Sequence, residues 1–258
     1  LSRDRAGAQR PEFIRNPDPD SVEQLLEFSD IIKRVTLAPE LPGAVPLIRR
    51  LRFANIAVSG GHSDAWDEEA CAAFEAGMRH TTHTFNCMSS ARRRDGIRVA
   101  GLLEFALSEP EITCELIADG RHVAPTLMKM LYRAKGAAGI CLVTDATAGA
   151  GLPDRTQFML AGTTCVVRDG ACFLADGSTL AGSSARMIDL VQTMVNSVGV
   201  PLHEAIAMAT ENPARAASLP TKGRIEAGAD ADFVVLSPEL EVLQTFVSGE
   251  RVFARSSR

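Results

Sequence analysis

Five histidines occur in the 258 residues, and three of them, His62, His83 and His122, stand where apolar runs end. One run closes Val58-Ser59-Gly60-Gly61-His62 and a second Thr81-Thr82-His83-Thr84-Phe85-Asn86. A third closes Ile117-Ala118-Asp119-Gly120-Arg121-His122 and a fourth Val143-Thr144-Asp145-Ala146. Neutral imidazoles bind metal ions and a carboxylate beside them can carry protons, so this is the composition that metal-assisted hydrolysis requires. Each residue also has a plainer use. His62 can close a Gly-rich turn, His122 can join a loop to a helix, and Asp145 can cap the turn before Ala146. His80 and His83 differ by an odd number, so in a strand they face opposite sides. His83 lies nearer the end of its run and is the ligand candidate; His80 is assigned a structural or solvent-facing place. His203 opens a surface-type helix and is left outside the site.

Two further segments invite chemistry. Arg92-Arg93-Arg94 follows the His83 run, and its guanidinium groups can grip a phosphate there; alone, such a run is a solvated loop. Leu180-Ala181-Gly182-Ser183-Ser184 reads as a loop that opens a helix, where free N–H groups favour anions and polar ligands. The plainer reading is helix capping by Ser183 or Ser184.

The elements that must position these residues alternate. Strands are expected at Ile31–Ala38, Ala54–Ser59, His80–Phe85, Ile112–Ala118 and Gly139–Thr144. Their continuous β-branched and apolar character suits strands covered on both faces. Helices are expected at Gly43–Leu51, Asp64–Gly77, Gly101–Leu107 and Pro125–Ala134, preceded by one from Asp18 with Val22, Leu25, Leu26 and Phe28 as its apolar stripe. Strand–helix alternation predicts a parallel sheet, either a (β/α)8 barrel or an open doubly wound sheet. No Gly-x-Gly-x-x-Gly follows a strand, which disfavours dinucleotide binding. In a parallel barrel the chemistry lies at the C-terminal ends of the strands, where the four segments above fall.

After Asp145 the pattern changes. Phe158–Leu174 reads as a hairpin turning at Arg168-Asp169-Gly170. Helices follow at Ser184–Val198, His203–Ala209 and Pro213–Ser218, and then short antiparallel strands at Asp232–Leu236, Val242–Val247 and Arg251–Phe253. The net charge of −5 argues against a nucleic-acid partner, no apolar run is long enough to span a membrane, and no secretion leader is apparent. Six cysteines without a Cys-x-x-Cys pair read as reduced thiols, which suits a cytoplasmic protein.

The segments VTLAPE (35–40), SGGHSDA (59–65), THTFNCM (82–88), IADGRHV (117–123), LVTDATAGAG (142–151), LAGSSARM (180–187) and ENPARAASL (211–219) resemble the N-acetylglucosamine-6-phosphate deacetylases of the amidohydrolase superfamily. KGRIEAGADADFVVL (222–236) resembles the closing strands of that superfamily's β-sandwich. The resemblance runs along nearly the whole chain in order. It implies an α/β fold: a metal-dependent (β/α)8 TIM-like barrel, here partial, over residues 1–221, with the C-terminal strands of a small β-sandwich over 222–258. The implied reaction removes acetate from the 2-acetamido group of the sugar phosphate. His62 and His83 are then metal ligands and Asp145 is the acid–base. His122 hydrogen-bonds and polarises the substrate beside Asp119. Asn86, Cys87, Leu180, Ala181 and Gly182 line the sugar pocket, and Arg94 takes the phosphate. The implied cofactor is a divalent metal, with zinc first and iron or another divalent ion as alternatives. The implied assembly is a homodimer.

Some family features find no match. A His-x-His pair and a metal-ligand glutamate in Leu-Glu-Gly-Pro are absent, and the family places that motif just ahead of the segment resembling residues 1–15. An N-terminally truncated chain, inactive by itself, is therefore expected, with Glu40 as a possible substitute ligand. Gln9 stands where the family has a histidine, and RRRDG replaces a His-His-Arg-Asp-Pro-Gly-like loop. Two other readings stay open: a non-catalytic remnant that binds sugar phosphate or a partner subunit, and an amidohydrolase acting on a cyclic amide.

Overall fold

The computed structural model describes residues 1–255. The chain opens with two short 3₁₀ turns, Arg3–Arg5 and Pro11–Phe13. Helix α1, Pro19–Leu26, follows, and Asp18 caps it by accepting the Ser21 N–H. Phe28 lies beyond the helix and is exposed, so it is not part of its apolar stripe. The alternation then runs β1 (Arg34–Leu37), α2 (Ala44–Phe53), β2 (Ala57–Gly60), α3 (Asp67–Ala76) and β3 (His80–Thr81). A two-stranded hairpin, β4 (Arg92–Arg94) and β5 (Ile97–Val99), precedes α4 (Leu102–Ser108), β6 (Thr113–Leu116), α5 (Pro125–Lys135) and β7 (Ile140–Leu142).

Strands β1, β2, β3, β6 and β7 pair in that order, all in parallel, as the strand–helix alternation predicts. Leu37, Val58, Leu116, Ile140 and Leu142 from these strands are buried against Ile48 and Leu51 of α2, Leu102 of α4, and Met128 and Leu131 of α5. This apolar layer fixes the strands. Truncating a fully buried member such as Leu51 to alanine costs about 2–5 kcal/mol.

The expected strand His80–Phe85 shrinks to two residues. His83, Phe85 and Cys87 all have positive φ, so the chain curls at the point where extended backbone was expected. Strand alternation therefore does not decide where His83 points. Arg92–Arg94, expected as a loop, forms one arm of the β4–β5 hairpin around Asp95-Gly96.

Beyond β7, the expected single hairpin is three strands: β8 (Gln157–Leu160), β9 (Thr163–Arg168) and β10 (Ala171–Leu174). The Asp169-Gly170 turn lies as predicted, with positive φ at both residues. A second turn at Ala161-Gly162 has the same geometry. Leu180–Ser183 is not a helix-opening loop. It is β11, which pairs with β10 as the fourth strand of this antiparallel sheet. Helix α6 consequently begins at Met187, runs to Thr193 and ends in a π-helical turn at Met194–Val198. After α7 (Leu202–Ala209) and α8 (Glu211–Ala216), strands β12 (Phe233–Leu236), β13 (Val242–Val247) and β14 (Glu250–Ala254) make a three-stranded antiparallel sheet. No described helix is long and apolar enough to cross a membrane.

Candidate functional site

The ends of β2 and β3 carry the two histidines to one point. Both residues have left-handed backbone, φ 46° at His62 and 31° at His83. Their Nε2 atoms lie 3.0 Å apart with the ring planes 71° to each other. His62 Nδ1 is 2.8 Å from the Arg5 carbonyl oxygen, so Nδ1–H donates there and Nε2 keeps its lone pair. Burial, and then the neighbouring His83 ring, lower the His62 pKa, so the imidazole is held neutral. The Asp145 carboxylate acts in the opposite sense on His62.

Sequence reading missed what holds His62. Residues 1–17 read from sequence as polar and loop-like, yet the first of them seat on the site. Ser2 N–H donates to the His62 carbonyl at 2.8 Å. Arg5 grips Asp64 through two bonds of 2.7 and 2.9 Å. Asp64 also receives Arg92 at 2.6 Å, and the Arg92 guanidinium lies 3.9 Å from the Trp66 ring centre. Gly7, at φ 59°, comes so close that an added Cβ would sit 2.8 Å from Cys87 Sγ and 3.4 Å from His62 Cε1. The small Ala6-Gly7-Ala8 run was the one available signal for this close approach.

Asp145 follows β7 with φ 49°. Its carbonyl accepts the Ser183 N–H at 2.9 Å, and Ala146 bridges to Ser183 in parallel, so β11 is drawn beside the Asp145 turn. Leu180, Ala181 and Gly182 lie on that strand, and Gly182 packs against the Asp145 carbonyl and Thr147. Asn86 donates to the His83 carbonyl at 3.2 Å. Burial pushes the Cys87 thiol pKa up; Arg5 opposes this and Asp145 adds to it.

His122 and Asp119 form a second unit. The His122 Nδ1 to Asp119 Oδ2 distance is 2.7 Å, and the side chains are 4% and 2% exposed. Asp119 Oδ1 accepts the N–H groups of Arg121 and His122 at 2.8 Å each. Burial alone would raise the Asp119 pKa, but these hydrogen bonds prevail and hold it below the ordinary value. Nδ1–H of His122 is thereby committed and Nε2 is presented. Among the described residues no hydrogen bond joins this unit to the His62–His83 pair.

Arg94 pairs with Glu68 at 2.6 Å and stacks over Trp66 at 4.5 Å. The carboxylate oxygens of Glu40 accept Ser63 Oγ–H and Asp64 N–H, each at 2.7 Å, so Glu40 is occupied as a loop brace. His80, expected as structural or solvent-facing, is half-buried, and its Nδ1 has no hydrogen-bond partner among the described residues. No group of three or more His, Cys, Asp or Glu residues gathers as a metal cage among the described residues. The donors that converge are the two imidazole nitrogens of His62 and His83.

Comparison with known proteins bears on this arrangement. The Amidohydrolase family model matches residues 3–252. The chain is 34% identical over 252 residues to the N-acetylglucosamine-6-phosphate deacetylase of Haemophilus influenzae, covering 97% of this chain and 64% of that protein. It is 35% identical to an Escherichia coli O157:H7 N-acetylgalactosamine-6-phosphate deacetylase, covering 95% of this chain and 63% of that one. Among solved structures it resembles a Mycobacterium smegmatis N-acetyl-D-glucosamine-6-phosphate deacetylase variant in complex with N-acetyl-D-glucosamine-6-phosphate. There the TM-score is 0.91 at 35% identity, over 98% of this chain and 66% of that one. The chain therefore spans slightly under two thirds of the length of these relatives.

Proposed function

The chain belongs to the amidohydrolase family, and from that premise we propose that it supplies the catalytic face of a metal-dependent deacetylase. The reaction is hydrolysis of N-acetylglucosamine 6-phosphate to glucosamine 6-phosphate and acetate. The observation that carries this reading is the meeting of the His62 and His83 Nε2 atoms at 3.0 Å. It is supported by the named activity of the relatives.

The histidine pair fits a divalent ion as two of its ligands. Both rings converge through the same nitrogen, and the Arg5 carbonyl fixes His62 in the ligating tautomer. Zinc, iron or another divalent ion held there lowers the pKa of water and polarises an amide carbonyl. The remaining chemistry falls to the chain. A C–O bond forms at the acetyl carbon and its C–N bond breaks. Asp145 takes the proton from the attacking water and delivers it to the departing nitrogen, so one carboxylate serves as base and then acid. His122, aimed by Asp119, offers Nε2 to the substrate. Asn86, Cys87 and Leu180 to Gly182 wall the sugar. Arg94 exchanges Glu68 for the 6-phosphate dianion, a stronger acceptor for a guanidinium. A homodimer and a cytoplasmic setting accompany this reading.

The test is acetate release from N-acetylglucosamine 6-phosphate and its galactosamine epimer. The product of the complete reading frame is assayed with added zinc or iron(II). Metal-dependent release is expected, falling about 10²–10⁴-fold in Asp145→Asn, the usual weight of a general acid–base. A metal-loaded protein that releases no acetate from either sugar phosphate would overturn the proposal. Turnover of a cyclic amide instead would favour that other class of substrate.

A further inference from the structure

The two histidine rings are aimed by different means. His62 is oriented through its own ring, because Nδ1 donates to the Arg5 carbonyl. His83 has no such anchor: its Nδ1 is buried and without a hydrogen-bond partner among the described residues. Apart from its Nε2 contact with His62, the His83 ring is therefore directed by its backbone. That backbone is left-handed at φ 31°, a conformation costly for a residue with a Cβ and kept only where surroundings impose it.

Asn86 holds the carbonyl side of this turn, its main-chain N–H and side-chain N–H donating to the His83 carbonyl at 3.1 and 3.2 Å, and Glu115 holds the amide side. His83 N–H donates to Glu115 Oε2 at 3.3 Å, and the next amide, Thr84 N–H, donates to the Glu115 main-chain carbonyl at 2.8 Å. Glu115 lies in the middle of β6, beside β3, with its side chain 12% exposed. Its other oxygen, Oε1, holds the Arg34 guanidinium from β1. Strands β2 and β3 lie between β1 and β6, so this ion pair reaches across both. Arg34 neutralises a carboxylate that is largely removed from water, and the oxygen it leaves over points at the His83 amide.

We propose that Glu115, held by Arg34, is a positioning residue that sets His83 against His62. The inference rests on the reading of these two histidines as metal ligands and goes beyond it, because among the described residues Glu115 makes no hydrogen bond to either ring. A purely structural role would have the carboxylate act only as one end of a strand-to-strand ion pair. The two roles diverge in Glu115→Gln. Glutamine loses the ion pair as alanine does, yet its side-chain oxygen can still accept the His83 N–H.

The experiment measures zinc affinity by chelator competition for the wild type, Glu115→Ala and Glu115→Gln, together with thermal melting. Metal-free crystal structures of the wild type and Glu115→Ala accompany it. Glu115→Ala is expected to bind zinc 10–100-fold more weakly, the range for residues that orient a ligand. Its His62–His83 Nε2 separation is expected to grow by roughly the 1 Å misplacement that disables a site. Glu115→Gln is expected to recover most of the affinity while melting as low as Glu115→Ala. Equal affinity losses in the two variants, or an unchanged separation in Glu115→Ala, would overturn the proposal. If the wild type binds no zinc, the ligand reading fails, and the separation in the metal-free crystals alone decides the positioning role. Should Glu115→Ala not fold, the double variant Arg34→Met with Glu115→Met removes both charges and undergoes the same measurements.

Discussion

His62 Nε2 and His83 Nε2 stand 3.0 Å apart, at the ends of two neighbouring parallel strands. Because the His62 Nδ1 proton is spent on the Arg5 carbonyl, any proton in this contact comes from His83. On the proposed reading a divalent ion would take the place of that proton, with the two rings as its ligands. Replacing either histidine with asparagine keeps a residue tolerant of left-handed backbone while removing an imidazole. His62→Asn and His83→Asn are each expected to lower the divalent metal retained after dialysis, as read by elemental analysis. Unchanged stoichiometry would reject the ligand assignment.

Asp119 gathers three hydrogen bonds, two from backbone amides and one from His122, in a nearly buried place. Hydrogen bonds to a charged group contribute about 1.5–3 kcal/mol, so Asp119→Asn is expected to lose stability of that order in urea unfolding. The carboxyl is held below its ordinary value of 3.8 in the folded chain. Its contribution is therefore present above that value and lost as pH falls through the folded pKa. The wild-type advantage over Asp119→Asn should shrink at low pH; an advantage that grows there would contradict the assignment.

His80 acts in the same direction at higher pH. Burial, with Arg34 and Arg52 nearby, lowers its pKa from 6.5 to about 4. The unfolded chain binds the proton more readily, so stability is full above 6.5 and falls as pH drops toward about 4. The loss is on the order of 3 kcal/mol. His80→Gln should flatten this segment of the stability curve, measured by urea unfolding at pH steps between those limits. An identical slope in the variant would remove His80 as the cause.

Gly7 faces two obstacles to substitution. Its φ of 59° is left-handed, and a Cβ would come within 2.8 Å of Cys87 Sγ. Gly7→Ala is expected to cost about 1–2 kcal/mol from the backbone alone. It should also weaken zinc retention by displacing the segment that carries the Arg5 carbonyl. Adding Cys87→Ala removes the sulfur and should restore zinc retention while leaving the backbone cost. Full stability in Gly7→Ala would show that the N-terminal segment is not seated as described.

The parallel sheet was legible because its strands are continuous apolar runs, and the helix start at Asp18 and the Asp169-Gly170 turn were legible because they are local chemistry. The segments that failed are those whose conformation depends on distant partners. Thr82 to Phe85 lies in the expected strand, but Glu115 takes two of its amides and two of its residues turn left-handed. Leu180–Ser183 looks like a helix-opening loop, yet β10 and the Asp145 turn extend it into a strand. Residues 1–10 are polar and gave no sign that their carbonyls and arginines seat on His62 and Asp64. Of the site, residue types at strand ends could be read; the braces behind them, Arg5, Gly7 and Glu115, could not, since each acts across a long sequence separation.

His62, His83 and Asp145 share positive φ, at 46°, 31° and 49°. Histidine, asparagine and aspartate are the non-glycine residues most often found there, and β-branched side chains are the worst. The site therefore carries a restricted alphabet at its three central positions, independent of what they catalyse. A designer altering these positions can exchange members of that alphabet at little backbone cost. Threonine, valine or isoleucine at any of the three would be rejected by the main chain before the chemistry was tested, and a combinatorial library that included them would spend its diversity on unfolded turns.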